Sequence, residues 1–317
     1  MFNSKIQFTA DYYNDNYFDL LQSRGKSIEL IGASYPDENI GKARWYGGEL
    51  SLTYQDNISK FNYYITGNWN IVQSKILFMD EQEQPYNYLY QTGKPVGAIF
   101  GLVTNGFLSA DDIANGYPVI QGFKNIQPGD VKYEDKNGDD VIDEFDRTVI
   151  GGNKPLSFFG IDLGVQYNGF EFSMMWQGVY NRDIYLSDRN FTEGFLQINQ
   201  HYGQAYEHML NRWIPENAEN ATLPRLSAGS NNYNYGNGWG TSLWLKSGNF
   251  IRLKNINIAY NLPESFTRSY LGNLRVKIFA TGQNLFTMSA TNLVDPEVSF
   301  TNYPIQRNIN FGVNVKF

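Results

Sequence analysis

Read as an extended strand, Arg307 to Phe317 places Ile309, Phe311, Val313, Val315 and Phe317 on one side and Asn308, Asn310, Gly312, Asn314 and Lys316 on the other. A strand strictly apolar on one face, polar on the other and closed by an aromatic residue is what a transmembrane barrel requires, because lipid wets one side and a watery lumen the other. The pattern recurs. Phe61, Tyr63, Ile65, Trp69 and Ile71 alternate with Asn62, Tyr64, Thr66, Asn68 and Asn70. Phe159, Ile161, Leu163, Val165 and Tyr167 alternate with Gly160, Asp162, Gly164 and Gln166. After Asn168-Gly169, a dipeptide suited to a two-residue hairpin turn, Phe170, Phe172, Met174 and Trp176 alternate with Glu171, Ser173, Met175 and Gln177. The segments around Ile6, Phe8, Ala10 and Tyr12 and around Tyr46, Gly48, Leu50, Leu52 and Tyr54 repeat the theme.

The alternation predicts strands over about 4–13, 44–55, 60–73, 157–167, 170–181, 250–262, 273–286 and 307–317. The connections near 56–59, 168–169 and 263–272 are short, and those at 14–43, 74–156, 182–249 and 287–306 are long. Consecutive antiparallel strands then put every short turn on one rim and every long loop on the other, the asymmetry of outer-membrane barrels with periplasmic turns and extracellular loops. The expected fold is all-β, an antiparallel transmembrane β-barrel with long extracellular loops. Residues 1–317 form one barrel portion and 74–156 its longest loop.

Composition narrows the chemistry. The 317 residues include no Cys, which removes disulfide and thiolate chemistry, and a net charge of −7 argues against a nucleic-acid partner. The mean hydropathy is −0.44, and no apolar run approaches the ~20 residues of a membrane helix; barrel strands of about ten alternating residues leave no such peak. Met1-Phe2-Asn3-Ser4-Lys5 has neither the basic region nor the apolar stretch of a secretory signal. An outer-membrane protein needs one, so the chain is expected to be a piece of a longer protein.

The segment 135–146 in the longest loop carries oxygen side chains at Asp135, Asn137, Asp139, Asp143 and Asp146, with the Val141 carbonyl at the seventh position and Ile142 as a hydrophobic anchor at the eighth. This is calcium-loop spacing, in which hard oxygens at alternate positions wrap one cation. It departs from the standard loop at Asp140, where a turn glycine usually stands, and at Asp146, where a longer Glu usually closes the site. The competing reading is an acidic turn in which Gly138 supplies a positive φ. A bound Ca2+ would stiffen the loop and play no catalytic part.

Tyr86, Tyr88 and Tyr90 in one loop and Tyr233, Tyr235, Trp239 and Trp244 in another could stack on sugars or grip peptides; against that, Tyr and Trp also crowd barrel rims as interfacial girdles, the role expected of Trp45, Tyr46 and Tyr260. No catalytic constellation stands out. His201 and His208 have no Cys, serine elbow or zinc motif beside them, and Asp111 with Asp112, or Glu81 with Glu83, read as solvated surface charge.

An ordered series of motifs runs along nearly the whole chain: Ile40-Gly41 through Gly48-Glu49-Leu50; Tyr90-Gln91-Thr92-Gly93-Lys94-Pro95-Val96-Gly97; Pro128-Gly129-Asp130-Val131-Lys132-Tyr133 leading into the acidic loop; Asp146-Arg147-Thr148-Val149-Ile150-Gly151; Asn211-Arg212-Trp213 with Pro215-Glu216-Asn217; Phe250-Ile251-Arg252-Leu253-Lys254-Asn255; Gly282-Gln283-Asn284-Leu285-Phe286; Asp295-Pro296-Glu297; and the closing strand after Tyr303-Pro304. Together they resemble the C-terminal part of a SusC/RagA-type TonB-linked outer-membrane transporter of Bacteroidetes. The resemblance implies a 22-stranded barrel in the outer membrane, with an N-terminal plug that contacts TonB. It also implies import of oligosaccharides or peptides beneath a SusD-like surface lipoprotein. No substrate-contacting residue carries over, because the shared motifs are structural, and the plug and first strands have no counterpart here. Two other readings fit the strand pattern: a self-contained eight-stranded barrel acting as an adhesin or binding protein, and a secreted, calcium-dependent carbohydrate-binding sandwich or glycosidase.

Overall fold

The computed structural model describes residues 5–25, 36–152, 154, 156–186, 207–227, 233–272, 274–298 and 303–317. In chain order its strands are β1 (Ile6–Gln22), β2 (Glu38–Ile58), β3 (Phe61–Phe78), β4 (Ala98–Gly101), β5 (Thr104–Phe107), β6 (Val131–Tyr133), β7 (Thr148–Gly152), β8 (Ser157–Tyr167), β9 (Phe170–Tyr180), β10 (Asp183–Tyr185), β11 (Leu245–Ser247), β12 (Phe250–Asn261), β13 (Arg275–Ser289) and β14 (Asn308–Lys316). Eight of them form one sheet in the order β1-β2-β3-β8-β9-β12-β13-β14. Every neighbouring pair in it is antiparallel. These are the eight strands expected from alternation.

The register welds the separate patterns into two faces. One row of cross-strand partners reads Ile6, Tyr54, Ile65, Leu163, Met174, Ile256, Gly282 and Ile309 across all eight strands. A row on the other face reads Gln7, Thr53, Thr66, Asp162, Met175, Asn255, Gln283 and Asn308. A one-residue slip anywhere would send apolar side chains to the polar side. The apolar face is bare: Phe8 is 64% exposed, Phe311 81% and Val313 61%. So large an exposed apolar surface is a lipid contact, not a water contact.

Among the described residues no ladder joins β1 to β14, so the sheet is open, with both as edges. This removes the self-contained eight-stranded barrel, which needs that pairing to close. The carbohydrate-binding sandwich goes with it, since the eight strands form one sheet and not two packed ones.

Turn chemistry explains the inner rim. Asn168 (φ 45°) and Gly169 (φ 89°) both take left-handed backbone, the two-residue turn that matches strand twist. Ser59 turns β2 into β3 with φ 57°. The third inner connection holds a short helix, Glu264–Tyr270, after Pro263. The 21 residues of β2 span about 70 Å at roughly 3.3 Å each, far more than a ~25 Å apolar band even when tilted. The outer ends therefore rise above the membrane and carry the long loops.

Those loops hold the buried core. Leu102, Leu108, Ile120, Val131, Tyr133, Ile142 and Tyr233 form one cluster, and Ile184, Leu186, Met209, Leu223 and Trp244 a second. Loops 79–156 and 181–249 interlock through a bridge between Leu102 and Thr241. There Gly101 is pressed so closely on Gly240 that an added Cβ would lie 2.8 Å from its carbonyl carbon.

Candidate functional site

The polar face of the sheet is a wall of carboxamides, hydroxyls and carboxylates. Near the inner rim it forms a concave region of about 620 Å³ lined by Gln55, Asn62, Tyr64, Gln166, Glu171 and Asn257, among others. Glu171 accepts hydrogen bonds from Lys277 (2.5 Å) and Asn261 (2.7 Å). Higher on the wall, Asp11, Glu49, Asn68, Asn70, Phe158 and Gln177 help line about 510 Å³, and Asn70 donates to Glu49 at 2.6 Å. Such a surface offers many weak, exchangeable hydrogen bonds to a polar solute moving along it.

Register corrects one expected girdle residue. Tyr46 and Tyr260 lie in the apolar rows, but Trp45 pairs with Asp15 and Ser74 in a polar row. Its indole meets Tyr17 edge-on at 5.0 Å, and the Lys154 ammonium lies 5.8 Å from its ring centre. Trp45 therefore faces the lumen, one residue out of phase with the outward aromatics.

The acidic segment folds around its own backbone. Asp135 accepts hydrogen bonds from the amides of Gly138 (2.7 Å) and Asp140 (2.8 Å), Asn137 from Asp139 (3.1 Å), and Asp139 from Val141 (2.9 Å). Asp143 accepts from Phe145 at 2.8 Å. The buried Asp146 carboxylate takes the amides of Lys136 (2.7 Å) and Asp143 (2.8 Å). Burial raises the Asp146 pKa above the usual carboxylate value, against these hydrogen bonds. Gly138 has φ 78°, and Asp140, standing where a turn glycine was expected, itself takes φ 63°. Ile142 is fully buried and bridges to Ile120. Among the described residues no three acidic or imidazole side chains converge as a metal cluster; the coordination spacing relies also on the Asn137 side chain and the Val141 carbonyl.

The loop aromatics pack within the loops. Tyr86 stacks on Tyr88 at 5.3 Å and meets Phe145 edge-on, and the Tyr88 hydroxyl donates to the Phe145 carbonyl at 2.8 Å. Burial, then the Asp146 charge, pushes the Tyr88 phenol up to about 12, so it stays a donor. Tyr90 accepts from the Gln84 amide at 2.9 Å. Tyr233 has no exposed surface: its ring belongs to the loop core and offers nothing to a ligand in this conformation. Tyr235 stacks on Trp244 at 5.4 Å, and Trp239 packs half-buried on the first cluster.

Asp112 and Glu81 are tied to structural partners. Asp112 caps the helix Ala110–Ala114 through Ser109 and pairs with Lys132 at 2.6 Å, which brings its carboxyl down to about 2. Glu81 accepts from the Gln91 and Thr92 amides at 2.7 Å. His208 is half-buried, and burial and Lys246 lower its pKa; His201 lies outside the described residues, as do Met1–Ser4.

Two nodes had no role assigned from sequence, although Asp130, Arg252, Asp295 and Glu297 stand in the motif series. Asp130, fully buried, is bound by Arg225 (2.9 Å) and by the Asn234 amide (3.0 Å), which also accepts from the Val131 backbone (2.8 Å). Arg252, 3% exposed, pairs with Asp295 (2.8 Å) and Glu297 (2.6 Å). The visible signal was a basic residue in the polar phase of a strand and an Asp-Pro-Glu run in the following loop.

An open antiparallel sheet with a lipid-facing apolar side and a polar lumenal side is a section of an outer-membrane β-barrel wall. No family model matches the chain. Its homologues are TonB-dependent receptors, outer-membrane barrel proteins, and the chain is accordingly an outer-membrane one, its extent consistent with a C-terminal barrel portion. It is 25% identical over 346 residues to TonB-dependent receptor P3 of Formosa agariphila, an alignment covering 100% of this chain and 33% of that receptor. It is 24% identical over 332 residues to TonB-dependent receptor SusC of Bacteroides thetaiotaomicron, covering 99% of this chain and 30% of SusC. The chain thus spans about a third of the length of the curated relatives it matches. The fold matches a solved structure of the RagAB peptide transporter with a TM-score of 0.70 at 20% identity, covering 100% of this chain and 34% of that one. These relatives are receptors, not enzymes.

Proposed function

We propose that this chain is the closing section of the barrel wall of a TonB-dependent importer, which takes up oligosaccharides or peptides across the outer membrane together with a SusD-like lipoprotein. The observation that carries the reading is the pair of opposed faces: a row without a charged or amide side chain across eight strands, backed by a predominantly polar row of amides, hydroxyls and a carboxylate suited to a wet conduit. The likeness to the RagAB peptide transporter favours a large polar solute over an ion. The remaining strands, the plug and its TonB contact would come from the rest of the longer protein. Deleting the gene for the full-length protein should abolish proton-motive-force-dependent uptake of a labelled oligosaccharide or oligopeptide, and complementation should restore it. Uptake of both classes unchanged in the deletion would contradict the reading.

We also propose that residues 135–146 hold a structural Ca2+, with oxygens from Asp135, Asn137, Asp139, Val141, Asp143 and Asp146. In support, the spacing is that of a calcium loop, Asp140 adopts the glycine-like backbone such a loop needs, and a cation would offset the penalty of burying Asp146.

A further inference from the structure

The last outer loop is drawn inward. Arg252 lies in the polar row with Thr9, Ser51, Asn68, Gln177 and Thr287, and so on the lumenal side. Its guanidinium is occupied on every edge: Nε donates to Thr287 Oγ1 (2.8 Å), Nη1 to Glu297 (2.6 Å) and Nη2 to Asp295 (2.8 Å). Lys254 adds a second bond to Glu297 at 2.6 Å. It can do so because Lys254 is an extra residue on β12: Leu253 pairs with Trp176, but Asn255 pairs with Met175. This bulge re-aims the strand at its outer end.

The acidic partners are fixed in turn. Asp295 accepts from the Glu297 and Ile305 amides at 3.0 and 3.1 Å, Arg182 donates to the Pro296 carbonyl, and Leu293 and Val294 pack against the cluster containing Leu186 and Trp244. We propose that residues 291–297 form a strap latched over the lumenal side of β12, where it narrows the outer mouth of the conduit, and that the Arg252–Asp295–Glu297–Lys254 ion-pair node is the latch. Arg252 and Asp295 are the buried centre of this network and Glu297 and Lys254 its half-buried margin, so removing one member leaves a charge short of a partner in a largely dry site and loosens the fastening. The strap has apolar anchors on the loop side and ionic ones on the wall side, so loss of the ionic set frees it from the wall while leaving it attached to the loops.

The narrowing rests on the conduit reading; the latch does not. The test uses the full-length protein carrying Glu297→Gln or, separately, Arg252→Gln, with Lys277→Gln near the inner rim as a control. Hydrogen exchange of the 291–297 amides should quicken at least tenfold in the first two and not in the control, and a bulky maleimide added from outside should label a Gln177→Cys variant, on the lumenal side beside Arg252, faster in step with it. Unchanged exchange in Glu297→Gln, the milder variant, would overturn the latch. Faster exchange with unchanged labelling at position 177 would overturn the narrowing. A loosened strap in a protein that shows no uptake of any solute would sink the importer reading and still support the latch.

Discussion

Asp130 illustrates how a single residue organises the loops of this protein. It is fully buried, and its carboxylate is the common partner of Arg225 and Asn234, which come from a different loop. Asp130→Ala strands a guanidinium and a carboxamide in a dry site, which costs about 3 to 5 kcal/mol for a buried pair. The loss should be read as reduced hydrogen-exchange protection at Val131, whose amide bonds Asn234; a change under about 1 kcal/mol would mean the node is peripheral. Gly129 beside it cannot be replaced either, since it has φ 90° and a Cβ would lie 2.4 Å from the Trp213 ring. The acidic segment belongs at this scale too. Millimolar Ca2+ should raise the thermal midpoint relative to EDTA, and Asp135→Asn with Asp139→Asn should abolish the rise; equal midpoints in both buffers would leave a self-satisfied acidic turn. The motif residues were visible in the sequence, but their partners were not, because Tyr133 and Tyr233 or Asp130 and Asn234 meet across about a hundred positions and one sequence carries no signal for that pairing.

At the level of elements, alternation located all eight wall strands, since lipid on one side and water on the other impose a period of two wherever a strand crosses the membrane. It failed where that contrast ends. β1 continues through Asn14, Asp15 and Asn16 to Gln22, and β2 begins at Glu38, in water on both faces; nothing there enforces alternation, so the strands read as too short. Trp45 was misplaced in the same zone. The face assignment itself is checked within one strand. Val313 is in the apolar row opposite Ile278, and Asn314 opposite Lys277. Val313→Arg should cost roughly 2 to 4 kcal/mol near the bilayer midplane, and Asn314→Arg much less. Urea unfolding of the full-length protein in liposomes measures both; equal losses would reject the assignment.

For the whole molecule, the decisive property is that a sheet of eight strands with a lipid-facing surface leaves two edges unpaired. A row of bare N–H and C=O groups at bilayer depth is not tolerated, so β1 and β14 require strand partners. The homology to receptors three times as long supplies a source for them. The most direct test is a structure of the full-length protein in a lipid nanodisc. The free edges of β1 and β14 should each be hydrogen-bonded to strands outside residues 1–317, with Phe311 and Val313 against lipid. A ladder between β1 and β14, or those two side chains enclosed in a protein core, would contradict this.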